Sequence, residues 1–185
     1  MADDSREETD PSVELMLQLK DGKEAAFDLL VERWQTPLIN FFHRSLNSYE
    51  QAEDLTQMVF IRLYRASASY QPRARFSTFL FQIARRLLIN EYRRSQRKPL
   101  EPRDPTELHA VISGREDQRF AEIEEAFTEA LKGLPENHRT AILLLKQQEL
   151  SYQEIAEVMG ASESAVKTWI FRARQFLKQE LKDLV

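Results

Sequence analysis

The chain has 185 residues, a formal net charge of −4 at pH 7 and no cysteine, which excludes disulfides and thiolate metal sites. No apolar run is long enough to span a bilayer, and the acidic N-terminus MADDSREETD does not resemble a signal peptide. We therefore expect a cytoplasmic protein without a membrane span, in which any nucleic-acid contact comes from local basic patches.

Motifs of catalysis and metal binding are absent from the sequence. It contains no P-loop, no GxGxxG and no nucleophile elbow. Its histidines, His43, His109 and His138, are far apart and lack the spacing of metal ligands. We therefore expect a protein without cofactor or metal that is not an enzyme.

The periodicity of the chain predicts an all-α fold. There are only four glycines, several long segments repeat apolar residues every 3.6 positions, and no segment alternates as a strand does. Residues 1–12 are expected to be disordered because they are short of apolar side chains. Helices are expected over residues 13–20 and 23–46, the second as one helix or a kinked pair, because Pro37 interrupts its hydrogen-bond ladder.

A third helix is expected over residues 49–68, with an unusual outward face. That face carries Asp54, Gln57, Met58, Ile61 and Arg65. Two large apolar residues among polar neighbours indicate either a surface for a partner protein or a face covered by another helix. Periodicity alone leaves both interpretations open.

The next helix, expected over residues 76–96, is strongly basic. Between residues 72 and 98 the sequence has eight arginines or lysines and one acid, Glu91. Aromatic residues are interleaved, with Phe81 and Tyr92 expected on the outward face. Cations bind the phosphate backbone and aromatic rings stack on unpaired bases, although a single aromatic residue is more often part of a core. The imbalance of charge favours nucleic-acid binding, because a solvated face normally mixes both signs.

Residues 99–119 contain three prolines and little periodicity, which predicts a flexible interdomain linker. We therefore expect two small helical domains, residues 13–98 and residues 120–185.

The segment 151–179 predicts a helix-turn-helix within the C-terminal domain. Ser151 and Glu154 have the spacing of a capping box, Gly160 can end the first helix at positive φ, and Ser162 can cap the second. The motif favours DNA binding, and the alternative is an ordinary helix pair with a solvated face.

The second helix of this motif has two distinct faces. Val166, Ile170, Ala173 and Leu177 fall on the side expected to be buried. The opposite side combines hydrogen-bonding groups, cations and one phenylalanine, which suits the major groove of DNA.

The order of these segments resembles that of bacterial sigma factors of the extracytoplasmic-function group, in the sigma-70 family. The resemblance is carried by AEDLTQMVFIRLYRA (residues 52–66), FSTFLFQIARRLLINEYRR (76–94) and LPENHRTAILLLKQQELSYQEIAEVMGASESAVKTWIFRAR (134–174). Residues 13–98 and 120–185 would correspond to sigma regions 2 and 4.

The resemblance implies a transcription initiation factor whose partners are core RNA polymerase, promoter DNA in duplex and melted form, and an anti-sigma factor. Residues implied to bind polymerase are Asp54, Gln57, Met58, Ile61 and Arg65. Residues implied to hold the melted minus-ten strand are Arg75, Phe76, Phe79, Arg85, Arg86, Asn90, Arg93 and Arg94. Residues implied to read the minus-thirty-five duplex are Lys167, Thr168, Phe171 and Arg172, with Ser164 and Arg174 on phosphates.

A helix-turn-helix regulator that works without polymerase is the alternative function. It would bind duplex DNA alone, as a dimer on a palindrome. It leaves the basic segment 76–94 unexplained.

Overall fold

The structure, a computed structural model, describes residues 10–97 and 115–182, with side chains from residue 123 onward in the second range. Within these ranges it contains eight α-helices, one short 3-10 helix and no strand, which confirms the all-α prediction. Residues 1–9 of the expected disordered segment and most of the expected linker lie outside the described residues. None of the described helices has the length and apolar character needed to cross a membrane.

The N-terminal unit consists of four helices and the 3-10 turn. They are α1 (Pro11–Lys20), α2 (Ala25–Leu46), α3 (Tyr49–Ala66), the 3-10 turn (Ser67–Ser69) and α4 (Phe76–Arg97). Side-chain caps fix two of the starts: Asp10 accepts a hydrogen bond from the Ser12 N–H, and Ser48 accepts one from the Gln51 N–H. The helix α2 runs through Pro37 as one element. Leu38, just beyond the proline, is fully buried, and this packing outweighs the missing hydrogen bond.

Aromatic side chains form the centre of this unit. Phe41, Phe42, Phe76 and Phe81 are all fully buried. The ring of Phe81 lies 5.2 Å from that of Phe41. The prediction that Phe81 lies on the outward face is therefore wrong: aromatic partners on α2 hold it in the core.

Tyr92 was also expected to face outward, and it is half-buried. Its hydroxyl donates a hydrogen bond to the Ser45 carbonyl at 3.2 Å, near the end of α2. The polar tip of the ring thus finds an acceptor inside the protein, which corrects the expectation that Tyr92 faces outward.

The C-terminal unit consists of α5 (Arg115–Lys132), α6 (Glu136–Gln147), α7 (Tyr152–Met159) and α8 (Glu163–Glu180). The helix α5 begins before the expected residue 120. Gly133 and Pro135 separate α5 from α6, as their helix-breaking character predicts.

The helices α7 and α8 form the predicted helix-turn-helix. Ser151 accepts a hydrogen bond from the Glu154 N–H at 3.2 Å, and Glu154 accepts one from the Ser151 N–H at 2.8 Å, which completes the capping box. Gly160 ends α7 at φ 59°, and Ser162 caps α8 by accepting from the Ala165 N–H. The stripe of Val166, Ile170, Ala173 and Leu177 is buried, which confirms the predicted inner face.

The two units pack against each other. The helix α4 contacts α7, and α2 contacts α6. Arg139 on α6 donates a hydrogen bond to the Ser45 carbonyl at 2.6 Å, the same carbonyl that Tyr92 reaches.

Candidate nucleic-acid interfaces

The outer face of α8 is accessible along its whole length. The predicted duplex-reading residues are all exposed; they are Ser164, Lys167, Thr168, Phe171, Arg172 and Arg174. Phe171 is 63% exposed, the largest value among the exposed bulky apolar residues of the described chain. An apolar ring left in water at the middle of a polar face is typical of a surface that a partner later covers.

Neighbouring groups orient the polar side chains of this face. Lys167 Nζ lies 2.6 Å from Glu163 Oε1 and 5.9 Å from the centre of the Tyr152 ring. The hydrogen bond and charge of Glu163 raise the pKa of Lys167, so it is a cation at neutral pH. The Thr168 hydroxyl donates to the Ser164 carbonyl at 3.0 Å, which leaves its oxygen free to accept from a base edge.

His138 on α6 lies near this face, and the charge of Arg172 affects its pKa. Partial burial, and next the charge of Arg172, lower the pKa of His138. This histidine is therefore neutral at pH 7, and Arg172 supplies the positive charge at that point.

The basic face of α4 is exposed over its C-terminal half. Arg86, Asn90, Arg93 and Arg94 are exposed, and so is Arg75 just before the helix, while Phe79 and Arg85 are half-buried. Four side chains near the end of α4 line an open cleft of about 430 Å³; they are Asn90, Arg93, Arg94 and Arg97. Sequence reasoning missed Arg97, although its spacing of four residues from Arg93 places both on one side of a helix.

Phe76, predicted to contact the melted strand, is fully buried. Its ring lies 5.6 Å from that of Trp34 on α2. The assignment of Phe76 to the strand site is therefore wrong for this structure. To reach DNA, its ring would have to leave its contact with Trp34, which would open the core. Phe79, one turn later, packs with its ring 5.2 Å from Tyr70 and keeps part of its surface in solvent.

The single acid of the basic helix is almost fully buried. Glu91 pairs with Arg94 at 2.9 Å, from Glu91 Oε2 to Arg94 Nε. The pair holds the Arg94 guanidinium against the helix and leaves part of its surface facing the cleft. Arg94 is thus positioned in advance for a phosphate, with less side-chain entropy to lose on binding.

The outer face of α3, formed by Asp54, Gln57, Met58, Ile61 and Arg65, is exposed at every position. Met58 is 41% and Ile61 44% exposed, so within the described chain no other helix covers them. Three more exposed apolar side chains in this unit were not predicted; they are Leu17 (37%), Leu29 (50%) and Tyr64 (45%). Tyr64 follows Ile61 at helical spacing, a signal the sequence offered, and its ring lies 5.2 Å from Phe27 on α2.

Two protein-family models match the chain. One, described as sigma-70 region 2, covers residues 30–98. The other, described as sigma-70 region 4, covers residues 124–177. The first contains α3 and α4, and the second contains α6, α7 and most of α8.

Whole-chain comparisons give similar proteins. The RNA polymerase sigma-H factor of Pseudomonas aeruginosa is 30% identical, over 93% of this chain and 94% of that protein. The ECF RNA polymerase sigma factor SigW of Bacillus subtilis is also 30% identical, over 90% and 95%. Among solved structures, CnrH in complex with the cytosolic domain of CnrY is 26% identical with a TM-score of 0.71, over 94% of this chain and 99% of that chain.

Proposed function

The chain belongs to the sigma-70 family of RNA polymerase sigma factors, in the extracytoplasmic-function group, and we propose on this basis how its surfaces divide the work of promoter recognition. In this proposal it binds core RNA polymerase in the cytoplasm and directs it to promoters. The N-terminal unit, residues 13–98, holds the melted minus-ten strand, and the C-terminal unit, residues 120–185, reads the minus-thirty-five duplex. Residues 99–119 join the two. The protein performs no covalent chemistry of its own.

The observation that carries the proposal is the outer face of α8. Its inner stripe is buried in the helix-turn-helix, while Lys167, Thr168, Phe171 and Arg172 are all exposed on the opposite side. A cation can donate to guanine, a hydroxyl can pair with several bases, and an apolar ring can contact the thymine methyl. Ser164 and Arg174, at the edges of this face, are assigned to phosphates.

The basic face of α4 is assigned to the melted strand. Arg86, Asn90, Arg93 and Arg94 line its exposed part, and cationic grooves of this kind bind unpaired DNA through its backbone. Phe79 is half-buried and keeps part of its surface accessible for stacking on a base, and Arg75 and Arg85 flank it. Base capture must offset an extrusion cost of a few kcal/mol, which is why stacking and phosphate contacts are needed together.

The outer face of α3 is assigned to core polymerase. Met58 and Ile61 supply exposed apolar area, and Asp54, Gln57 and Arg65 form a polar rim, the usual composition of a protein interface. Tyr64 extends the apolar part, and tyrosine is enriched among residues that dominate binding energy.

A regulatory partner of the anti-sigma class is part of the proposal. The CnrH structure, similar to this chain over nearly its full length, contains the cytosolic domain of a second protein, CnrY. A protein partner of comparable kind would control access to the surfaces described above.

Transcription in vitro with purified core polymerase, on a library of random promoter sequences, tests the proposal. Transcripts that depend on the added protein, from templates sharing a minus-ten and a minus-thirty-five element, would support it. Duplex binding by the protein alone, without any transcript, would contradict it and favour the polymerase-independent regulator.

A further inference from the structure

Glu91 stands at a position of α4 where the pattern of burial would place an apolar residue. The buried residues Ala84, Leu87 and Leu88 precede it on the inner side of the helix, and Glu91 continues this stripe at helical spacing. Only 7% of its surface is exposed. Taking a carboxylate out of water costs free energy unless the charge is paired and hydrogen-bonded, so the partners of Glu91 determine what it contributes.

Arg94 pairs with both oxygens of this carboxylate. Its Nε lies 2.9 Å from Glu91 Oε2, and its Nη2 donates to Glu91 Oε1 at 3.0 Å. The two contacts fix the plane of the guanidinium and use two of its five N–H groups. Three N–H groups are left for another acceptor. The Arg94 side chain is 61% exposed and lines the cleft at the end of α4.

A further contact ties the carboxylate to α3. Gln51, in the first turn of α3, donates from Nε2 to Glu91 Oε1 at 3.4 Å. Glu91 therefore joins the helix assigned to polymerase and the arginine at the cleft. A guanidinium fixed in this way loses less side-chain entropy when it binds a phosphate than a mobile one does.

Neither stability nor simple attraction to DNA explains a carboxylate at this position. Replacing a buried ion pair by apolar side chains of similar volume is often neutral or stabilising, so the pair is not needed for the fold. A negative charge within a basic face also opposes the binding of a phosphate backbone. What Glu91 does supply is the orientation of Arg94.

We propose that Glu91 is a positioning residue of the strand site: its negative charge strengthens binding of the melted strand, because it holds Arg94 with its remaining N–H groups directed to a phosphate. Glu91 itself does not touch the DNA. The inference rests on the proposed function, since it takes α4 to be the strand site. Without Glu91, Arg94 would still attract the DNA backbone, but its side chain would have to be ordered on binding.

The test compares two full-length proteins that each lose one negative charge. Glu91→Met puts an unbranched apolar side chain into the buried stripe and leaves Arg94 without its partner. Glu32→Met, at an exposed position of α2, is the control. Non-specific attraction to DNA rises in both. The Tm of Glu91→Met, followed by circular dichroism, should stay close to that of the control, because an apolar side chain suits this position.

Binding is measured by fluorescence anisotropy on complexes of each protein with core polymerase. The probe is a labelled single strand that spans the minus-ten element of a promoter recovered by transcription from the random library, and core polymerase alone gives the background. We expect Glu91→Met to bind this strand about three- to tenfold more weakly than Glu32→Met. Glu91→Gln, which leaves one acceptor oxygen for Arg94, should lie between them. Equal or tighter binding by Glu91→Met would overturn the inference.

A second background separates positioning from a structural defect. Arg94→Ala removes the group through which Glu91 is inferred to act, so the addition of Glu91→Met to Arg94→Ala should cause no further loss of strand binding. Circular dichroism establishes that all variants are folded. A further loss of similar size in this background would overturn the inference, because Glu91 would then act independently of Arg94.

Arg86→Ala with Arg93→Ala tests the proposed function separately. It removes two exposed cations of α4 and keeps the pair of Glu91 with Arg94. Loss of strand binding is expected. Unchanged binding would contradict the assignment of α4 to the strand, and the inference with it. Loss in this variant, together with equal affinities of Glu91→Met and Glu32→Met, would overturn the inference alone.

Discussion

Lys167 is an exposed cation on the proposed duplex-reading face, oriented by Glu163 at 2.6 Å. If it donates to a base edge, Lys167→Ala should reduce discrimination at one promoter position by roughly one to two orders of magnitude. Competition binding of the polymerase complex to single-position promoter variants measures this. Lys178→Ala, in the last turn of the same helix, is the control and should leave discrimination intact. A uniform loss over all promoter sequences would show that Lys167 contacts phosphate only.

His43 links stability to pH. Burial, and next the charge of Arg44, lower its pKa below the ordinary value of about 6.5. The unfolded chain therefore binds a proton that the folded chain does not, and folding stability falls as pH drops below about 6.5. We expect His43→Gln to weaken the fall in Tm between pH 7.5 and pH 5.5. An unchanged pH profile of Tm would contradict this prediction.

Gly160 ends α7 with φ 59°, and a Cβ at this position would meet no atom within 4 Å. A side chain there costs free energy because of the positive φ, and not because neighbouring atoms crowd it. We expect Gly160→Ala to lower the free energy of unfolding by about 1 kcal/mol, and Gly160→Asn to lower it less, since asparagine tolerates this conformation. Urea denaturation measures both. Equal loss in the two variants would show that another constraint operates.

Individual residues also show which features the sequence could predict and which it could not. The caps at Ser151 and Ser162 depend on neighbours within three positions, so the sequence alone predicted them. Phe76 and Phe81 were misassigned because their partners, Trp34 and Phe41, lie on another helix. An aromatic residue in a basic segment looks the same in sequence whether it stacks on a base or on a core ring.

At the scale of elements, substitutions on the outer face of α3 should abolish polymerase binding without unfolding the protein. Asp54→Lys with Met58→Ser and Ile61→Ser should abolish co-purification with core polymerase, because it removes the exposed apolar area and reverses a charge. These exposed positions contribute little to stability, so Tm should change only slightly.

The control for the α3 variant is Leu17→Ser, which removes an exposed apolar side chain from α1. It should co-purify with polymerase as the unsubstituted protein does. Retention of polymerase by the triple variant would rule out the assignment of this face.

The helices could be predicted from the sequence because each repeats apolar residues at helical spacing along its buried face. The buried stripe of α8 matched residue for residue. The sequence left open whether α2 continues through Pro37 or forms a kinked pair, since the outcome depends on the burial of residues such as Phe41 and Phe42 beyond it. Periodicity revealed the unusual outward face of α3, but it could not decide between a partner surface and a face covered by another helix. Only the folded chain shows that nothing in its described part covers Met58.

At the scale of the whole molecule, the packing of the two units was beyond the sequence. It depends on single polar contacts such as Arg75 with Glu154 and Arg44 with Glu124, between residues about 80 positions apart. Such contacts produce no periodic pattern in the sequence. The net charge of −4 is nevertheless consistent with the proposal, because a protein delivered to DNA by polymerase does not need strong DNA affinity of its own.

The most direct test of the division of labour is permanganate reactivity of unpaired thymines, on a promoter recovered by transcription from the library. With core polymerase and this protein, minus-ten thymines should become reactive. Arg86→Ala with Arg93→Ala should lose this reactivity while the complex still binds the duplex, and Lys167→Ala with Arg172→Ala should lose both. Reactivity that survives removal of Arg86 and Arg93, or that appears without polymerase, would contradict the account.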